Sequence, residues 1–254
     1  MVEDKYLLEE LTWTEAKDKF KETDIALLPV GSLEQHGPHL PLSTDAFDAY
    51  WLAKEAVKRV ASPKPVILPP INYGISYHHM AFAGTISLSP ETLISLIYDI
   101  GCSLVTYEVK KLLIINGHGG NSPALKCAAQ KLGFEKKIFV VIDDGKISAS
   151  EQKEICSTQN DAHSGEYETS TSLANRPELV KLNGLVKEVP KFPSPYLAWD
   201  SANQVSWVFT TDKLSKSGVL GDATLASKDK GDKLWEAHIK NLAEFIEYLK
   251  VCTL

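Results

Sequence analysis

Glu34 and His36 stand one residue apart after the apolar run Ile25-Ala-Leu-Leu-Pro-Val30, so an extended backbone projects both side chains to the same side. Gly37-Pro38 then turns the chain, and Asp45 arrives at the start of a helical stretch, where it can point back toward the same place. Zinc, manganese and iron accept a mixed carboxylate and imidazole set of this kind, because they take nitrogen and oxygen donors. The ordinary alternative makes Asp45 a helix cap and Glu34 and His36 loop polar groups. His118 favours the metal site. It lies in the turn Asn116-Gly-His-Gly-Gly-Asn121, straight after the apolar run 112–115, and glycine lets backbone approach an ion or ligand closely. The same turn could cradle a phosphate on backbone N–H groups, although its spacing does not match the glycine patterns of nucleotide-binding loops. A third polar knot, His163-Ser-Gly-Glu166-Tyr-Glu168-Thr-Ser170, again precedes a helix.

These clusters need a frame that brings them together, and the hydrophobic pattern supplies one. Short apolar runs at 25–30, 66–68, 112–115 and 138–142 read as buried strands. Helical stretches at 46–60, 90–110, 122–131, 167–174 and 225–249 separate or follow them, with Ser89-Pro90 and Ser122-Pro123 as start signals. A strand is also expected over 205–210. The alternation implies an α/β/α three-layer sandwich with a mostly parallel central sheet, built as a single domain over 1–254. Ligands of such sheets bind outside the carboxyl ends of the strands, where the first two polar clusters sit. Among the remaining polar residues, His39 beside its prolines reads as structural, His79 as pocket lining, His78 and His238 as surface, and Asp143-Asp144-Gly145 as a turn.

Composition narrows the class. Hydrophobic residues make up 44% and charged residues 24%, the proportions of a globular chain with its own core. A net charge of −6 leaves no excess of cation for a nucleic-acid backbone or an anionic membrane. Neither a signal segment nor a spanning run is present, so a cytoplasmic protein is expected. Cys102, Cys127, Cys156 and Cys252 are far apart and are expected to be reduced, mostly buried thiols.

Five blocks, in order, resemble the creatininase (creatinine amidohydrolase) family: Gly31 to Asp45, Tyr73 to Thr85, Asn116 to Asn121, His163 to Ser170, and Gly218 to Asp222. The family also contains formamide deformylases and a peptide-maturing hydrolase. The resemblance implies one or two divalent metals, Zn, Mn or Fe, with Glu34 and His118 on one ion, His36 on the other and Asp45 bridging them. It also implies a homo-oligomer, commonly a hexamer. His163 and Glu168 match the pair that assists proton transfer, His163 protonating the leaving nitrogen. His79, Gly119, Gly120 and Asn121 would contact the substrate.

Two departures stand out. Creatininases proper place an aromatic residue and a metal-binding glutamate where this chain has Gly119 and Gly120, so either Glu168 or Glu166 supplies the missing ligand or that second site is weaker or empty. They also carry substrate-side tryptophans upstream of the third polar knot, where none matches here. The Gly-Gly form is closer to the branch containing formamide deformylases. The leading expectation is therefore hydrolysis of a small, non-peptide amide, cyclic or formyl. Cleavage of a short peptide is the alternative, and a phosphate-binding module the remote one.

Overall fold

The computed structural model describes residues 5–253. Strands Ile25–Val30 (β1), Val66–Ile67 (β2), Lys111–Asn116 (β3) and Phe139–Asp143 (β4) form one sheet in the order β2-β1-β3-β4, with every neighbouring pair parallel. All residues of β1 are buried, because helices cover both faces of the sheet. Alternation divides the strands between two cores. Ile25, Leu27, Leu113 and Ile115 face helices Thr44–Arg59 (α2) and Lys228–Val251 (α7). Ala26, Leu28, Val30, Leu112 and Ile114 face Pro90–Val105 (α3) and Ser122–Lys136 (α4). This is the expected α/β/α architecture with a parallel central sheet.

Local chemistry sets the helix ends. Ser89 Oγ accepts the Thr92 N–H at 3.2 Å, with Pro90 at the first helical position. Helix α3 stops short of the expected residue 110, and Glu108 follows in a left-handed conformation at φ 64°. Conversely, α4 runs past residue 131 to Lys136, and Lys137 at φ 58° ends it. A helix that the apolar pattern does not announce, Trp13–Glu22 (α1), begins with a capping box between Thr12 and Glu15. The Thr-x-x-Glu spacing was its sequence signal.

Beyond β4 lie Ala149–Ile155 (α5), Glu166–Asn175 (α6) packed on α7, and a two-stranded antiparallel ribbon of Lys187–Glu188 (β5) and Gly221–Asp222 (β6). The strand expected over 205–210 does not form. The segment has no pairing strand, and Val208 is 97% exposed. Its alternation of Val205, Trp207 and Phe209 instead serves an aromatic cluster, with Trp207 and Phe209 rings 5.3 Å apart and each packed near Trp199. The four cysteines are free, as expected, but Cys127 is exposed and the others only half-buried. Among the described residues no helix is long and apolar enough to cross a membrane.

Candidate metal centre

The end of β1, the start of α2, the turn after β3 and the first turn of α6 meet at the carboxyl edge of the sheet. They bring Glu34, His36, Asp45, His118, His163 and Glu168 together. The close approach requires small residues: a Cβ on Gly31 would lie 2.2 Å from Ala46 Cα, and one on Gly117 would lie 2.4 Å from the Asp45 carbonyl oxygen.

Asp45 gives one oxygen to each of two imidazoles: His36 Nε2 lies 2.9 Å from Oδ1, and His118 Nδ1 lies 3.2 Å from Oδ2. Ser32 Oγ donates to Oδ2 at 2.7 Å. The second nitrogen of each ring also faces an oxygen, since His36 Nδ1 meets the Glu34 carbonyl at 3.1 Å and His118 Nε2 meets the Ile75 carbonyl at 3.0 Å. Rings placed among acceptors alone favour the doubly protonated form. Burial pushes His36 down, but the charge and hydrogen bond of Asp45, with Glu168 and Glu34, more than offset this and raise it to about 10. His118 follows the same balance: burial lowers it, and Glu34 and Asp45 raise it to about 9. Asp45 is held well below the carboxylate range, burial being outweighed by the His36 and His118 cations.

Glu34 is fully buried, and neither carboxylate oxygen has a hydrogen-bond partner. His118 Nε2 at 3.2 Å, His79 Nε2 at 3.3 Å and His163 Nδ1 at 3.6 Å surround it without hydrogen-bond geometry. Burial raises this carboxyl, yet the neighbouring imidazoles, His118 foremost, keep it ionised. A buried, ionised and unsatisfied carboxylate is costly by itself and fits a cation's inner ligand. Glu34, His36 and Asp45 can place donor atoms within 4.8 Å of one another, as can His36, His163 and Glu168. The donor set therefore fits a divalent ion that takes nitrogen and oxygen.

His163 is held to Leu220 by paired backbone hydrogen bonds. Its Nε2 donates to the Gln35 carbonyl at 2.7 Å, leaving the Nδ1 lone pair toward Glu34 and Glu168. Burial foremost, then the neighbouring His36 cation, push its pKa well down, so the ring is a neutral base. Glu168 Oε2 lies 3.8 Å from His36 Nε2 and accepts the Ser164 N–H at 2.5 Å. Burial lifts its pKa, His36 pulls it back and Asp45 adds to the rise, for a value of about 7. Of the two glutamates open to the missing ligand role, Glu168 faces the cluster. Glu166 points elsewhere, accepting from the Ser157 and Thr158 backbone at 2.9 and 2.8 Å and pairing with Lys230.

Several expected roles change. His78 is not simply surface: it stacks on His118 with ring centroids 5.4 Å apart and can share ligand geometry with Glu34 and His118. His238 is buried, with Nε2 2.7 Å from Asp143 Oδ2, so it faces the core instead of the polar side of α7. Asp143 does form the expected turn, accepting the Gly145 N–H at 2.9 Å, but its other oxygen takes this buried partner. His39 is structural, with Nε2 2.8 Å from Thr169 Oγ1. Asn121, expected at the substrate, is fully buried and ties loops together, accepting from Ile75 N at 2.9 Å and donating to the Gly31 carbonyl at 3.0 Å.

A cavity of about 630 Å³ opens over the cluster, lined by His79, His118, Gly119, Gly120, His163 and Glu168 together with Tyr77, Trp199, Trp207 and Phe209. The two tryptophans follow His163 in the chain, where order alone had set them aside. Their signal was the aromatic spacing of 207 and 209. Gln35 was also missed: its amide donates to His79 Nδ1 at 2.9 Å and to the Gly218 carbonyl at 3.0 Å.

A carboxylate and imidazole cluster at the carboxyl edge of a parallel sheet, with a neutral histidine base beside it, has the make-up of a hydrolase site. Comparison with known proteins narrows the class. The family model described as creatinine amidohydrolase matches residues 9–246, and the chain belongs to the creatininase family of amidohydrolases. It is 32% identical over 235 residues to the mycofactocin precursor peptide peptidase of Mycolicibacterium smegmatis, covering 88% of this chain and 84% of that one. With the creatinine amidohydrolase of Pseudomonas putida it shares 28% over 258 residues, covering 93% and 94%. A solved structure described as creatininase Mn superposes with TM-score 0.81 at 26% identity, covering 98% of this chain and all (100%) of that one.

Proposed function

We propose that this amidohydrolase is metal-dependent and cleaves an amide bond in a short peptide or peptide-derived substrate. The observation that carries the reading is Asp45, which offers one oxygen toward His36 and the other toward His118 beside the unsatisfied carboxylate of Glu34. That arrangement supports Glu34, His36, Asp45, His118 and Glu168 as the residues that would hold one or two divalent ions. A divalent ion held there would polarise the scissile carbonyl and lower the pKa of water near it. His163 Nδ1, neutral and aimed into the cluster, takes a proton from the attacking water and returns it to the leaving nitrogen. Glu168 Oε2 lies 4.0 Å from that nitrogen, and the Nε2 hydrogen bond to the Gln35 carbonyl holds the ring's orientation.

Substrate size decides between the small-amide and peptide alternatives. A cavity of about 630 Å³ walled by Trp199, Trp207 and Phe209 is larger than a formamide needs and suits apolar side chains. The peptidase relatives point the same way. A phosphate cradle at 117–120 is disfavoured by Glu34 and Asp45 beside it, since like charges repel.

The test is metal analysis of the purified protein followed by turnover of short peptides, formamides and creatinine. Peptide cleavage that a chelator abolishes is expected, and Glu168→Gln should lower kcat by about 100-fold or more. Folded, metal-loaded protein that hydrolyses none of these amides would refute the reading.

A further inference from the structure

Beside the candidate ligands lies a second cavity, of about 170 Å³, whose wall combines Asn116, Ser122, Asp144 and Tyr167 with the apolar Leu52, Ile115 and Trp235. It shares Asp45, Gly117, His118, Gly119 and Glu168 with the outer cavity, so the candidate ligands stand between the two spaces. The glycines of this turn are not equivalent. A Cβ on Gly117 would strike the Asp45 carbonyl at 2.4 Å, and one on Gly120 would lie 2.3 Å from the Ile75 carbonyl and 2.4 Å from His118 Nε2. Packing explains both. At Gly119 an added Cβ meets nothing within 4 Å, and the backbone does not need a left-handed conformation. Neither sterics nor backbone geometry requires glycine there, and the residue borders both cavities.

We infer that Gly119 is a specificity-determining opening: the missing side chain joins the outer aromatic cavity to the smaller, partly polar inner one. Substrate can then extend past the metal cluster on both sides. The favoured class is an amide with an apolar group on one side and a small polar group on the other. The outer group packs on Trp199 and Trp207, and the inner group meets hydroxyl, amide and carboxylate partners. The inner volume limits that group to about one small residue. The inference rests on the amidohydrolase reading above and assigns the substrate class to the same site.

The test compares wild type with Gly119→Ala, Gly119→Leu and Gly119→Phe. Two readouts are used: the ratio of kcat/KM for a two-sided peptide amide over a one-sided formamide, and calorimetric binding of a peptide whose central amide is reduced to a methyleneamine. The reduced peptide cannot be hydrolysed, so its binding reports on the passage independently of turnover. Gly119→Ala should fold and melt as wild type does, since its Cβ enters open space. Gly119→Leu and Gly119→Phe should lower the ratio by roughly 100-fold, chiefly through KM, and weaken the reduced peptide by a similar factor. A parallel fall on both substrates, or an unchanged ratio in Gly119→Phe, overturns the inference. If wild type hydrolyses no amide, the proposed function fails, and binding still decides here. Wild type must then bind the reduced peptide more tightly than a one-sided fragment and lose that preference in Gly119→Phe.

Discussion

Metal uptake by this site should expel protons, and the structure sets how many. Without an ion, His36 and His118 carry charge among carboxylates, with pKa values raised from 6.5 to about 10 and about 9. A ring that binds a metal must give up the proton on its ligating nitrogen. At pH 7 those losses cost roughly 4 and 3 kcal/mol, at about 1.4 kcal/mol per pKa unit. Saturation with zinc or manganese at pH 7 should therefore release about two to three protons per chain, two from the rings and part of one from Glu168 at about 7, and the overall association constant should fall by at least about 100-fold for each unit of lower pH. Calorimetric titration in two buffers of different ionisation heat measures the release directly. The sign for stability follows from the same values. Both folded pKa values are raised, so their stabilisation of metal-free protein is complete below 6.5 and is lost as pH rises through about 9 and about 10. Metal-free protein should melt at progressively lower temperature between pH 7 and 10, and metal should offset that decline. Fewer than one proton released at saturation would refute the reasoning, because His36 and His118 would then not be the ligands exchanged.

Two further outcomes test the supports of the site and the frame. Gly120→Ala places a methyl 2.4 Å from His118 Nε2 and should weaken metal binding roughly 10- to 100-fold by displacing that ring, measured by competition with a chromogenic chelator. Ile114→Ala empties a fully buried position between β3 and helices α3 and α4, and should cost about 2–5 kcal/mol in urea unfolding with little change in metal stoichiometry.

The sheet was legible because each strand is a continuous apolar run, which only burial on both faces explains, and β1 and β3 show this most plainly. The polar clusters were legible because glycine and proline mark the turns that end those strands. Long-range pairing was not. His238 lies on the apolar stripe of α7 with Trp235, Ile239 and Leu242, a spacing visible in the sequence, but its partner Asp143 is 95 positions away. The helix looked charged because Lys and Glu flank that stripe. Residues 205–210 misled for a related reason: an alternating aromatic run describes a two-sided extended segment, and nothing in it says whether the inner side meets a sheet or a cavity.

The features that make this site chemically useful also load the fold with unfavourable terms. Glu34 is buried with both carboxylate oxygens unpaired, and His36, His79, His118 and His163 crowd around it and Asp45. The charged His118 ring neutralises Glu34 only in part, because its Nε2 approaches at 3.2 Å without hydrogen-bond geometry. The two hydrophobic cores on either side of the sheet can bear such a defect. The ligands lie on segments those cores fix: Asp45 is in the first turn of α2, and His118 follows β3 directly. Donors held rigidly by the fold cannot relax to satisfy one another, which favours a divalent cation as their common partner. A looser, better hydrogen-bonded cluster would stabilise the metal-free fold and weaken metal binding together, so the unpaired oxygens of Glu34 are the observation on which the proposed metal-assisted hydrolysis most depends.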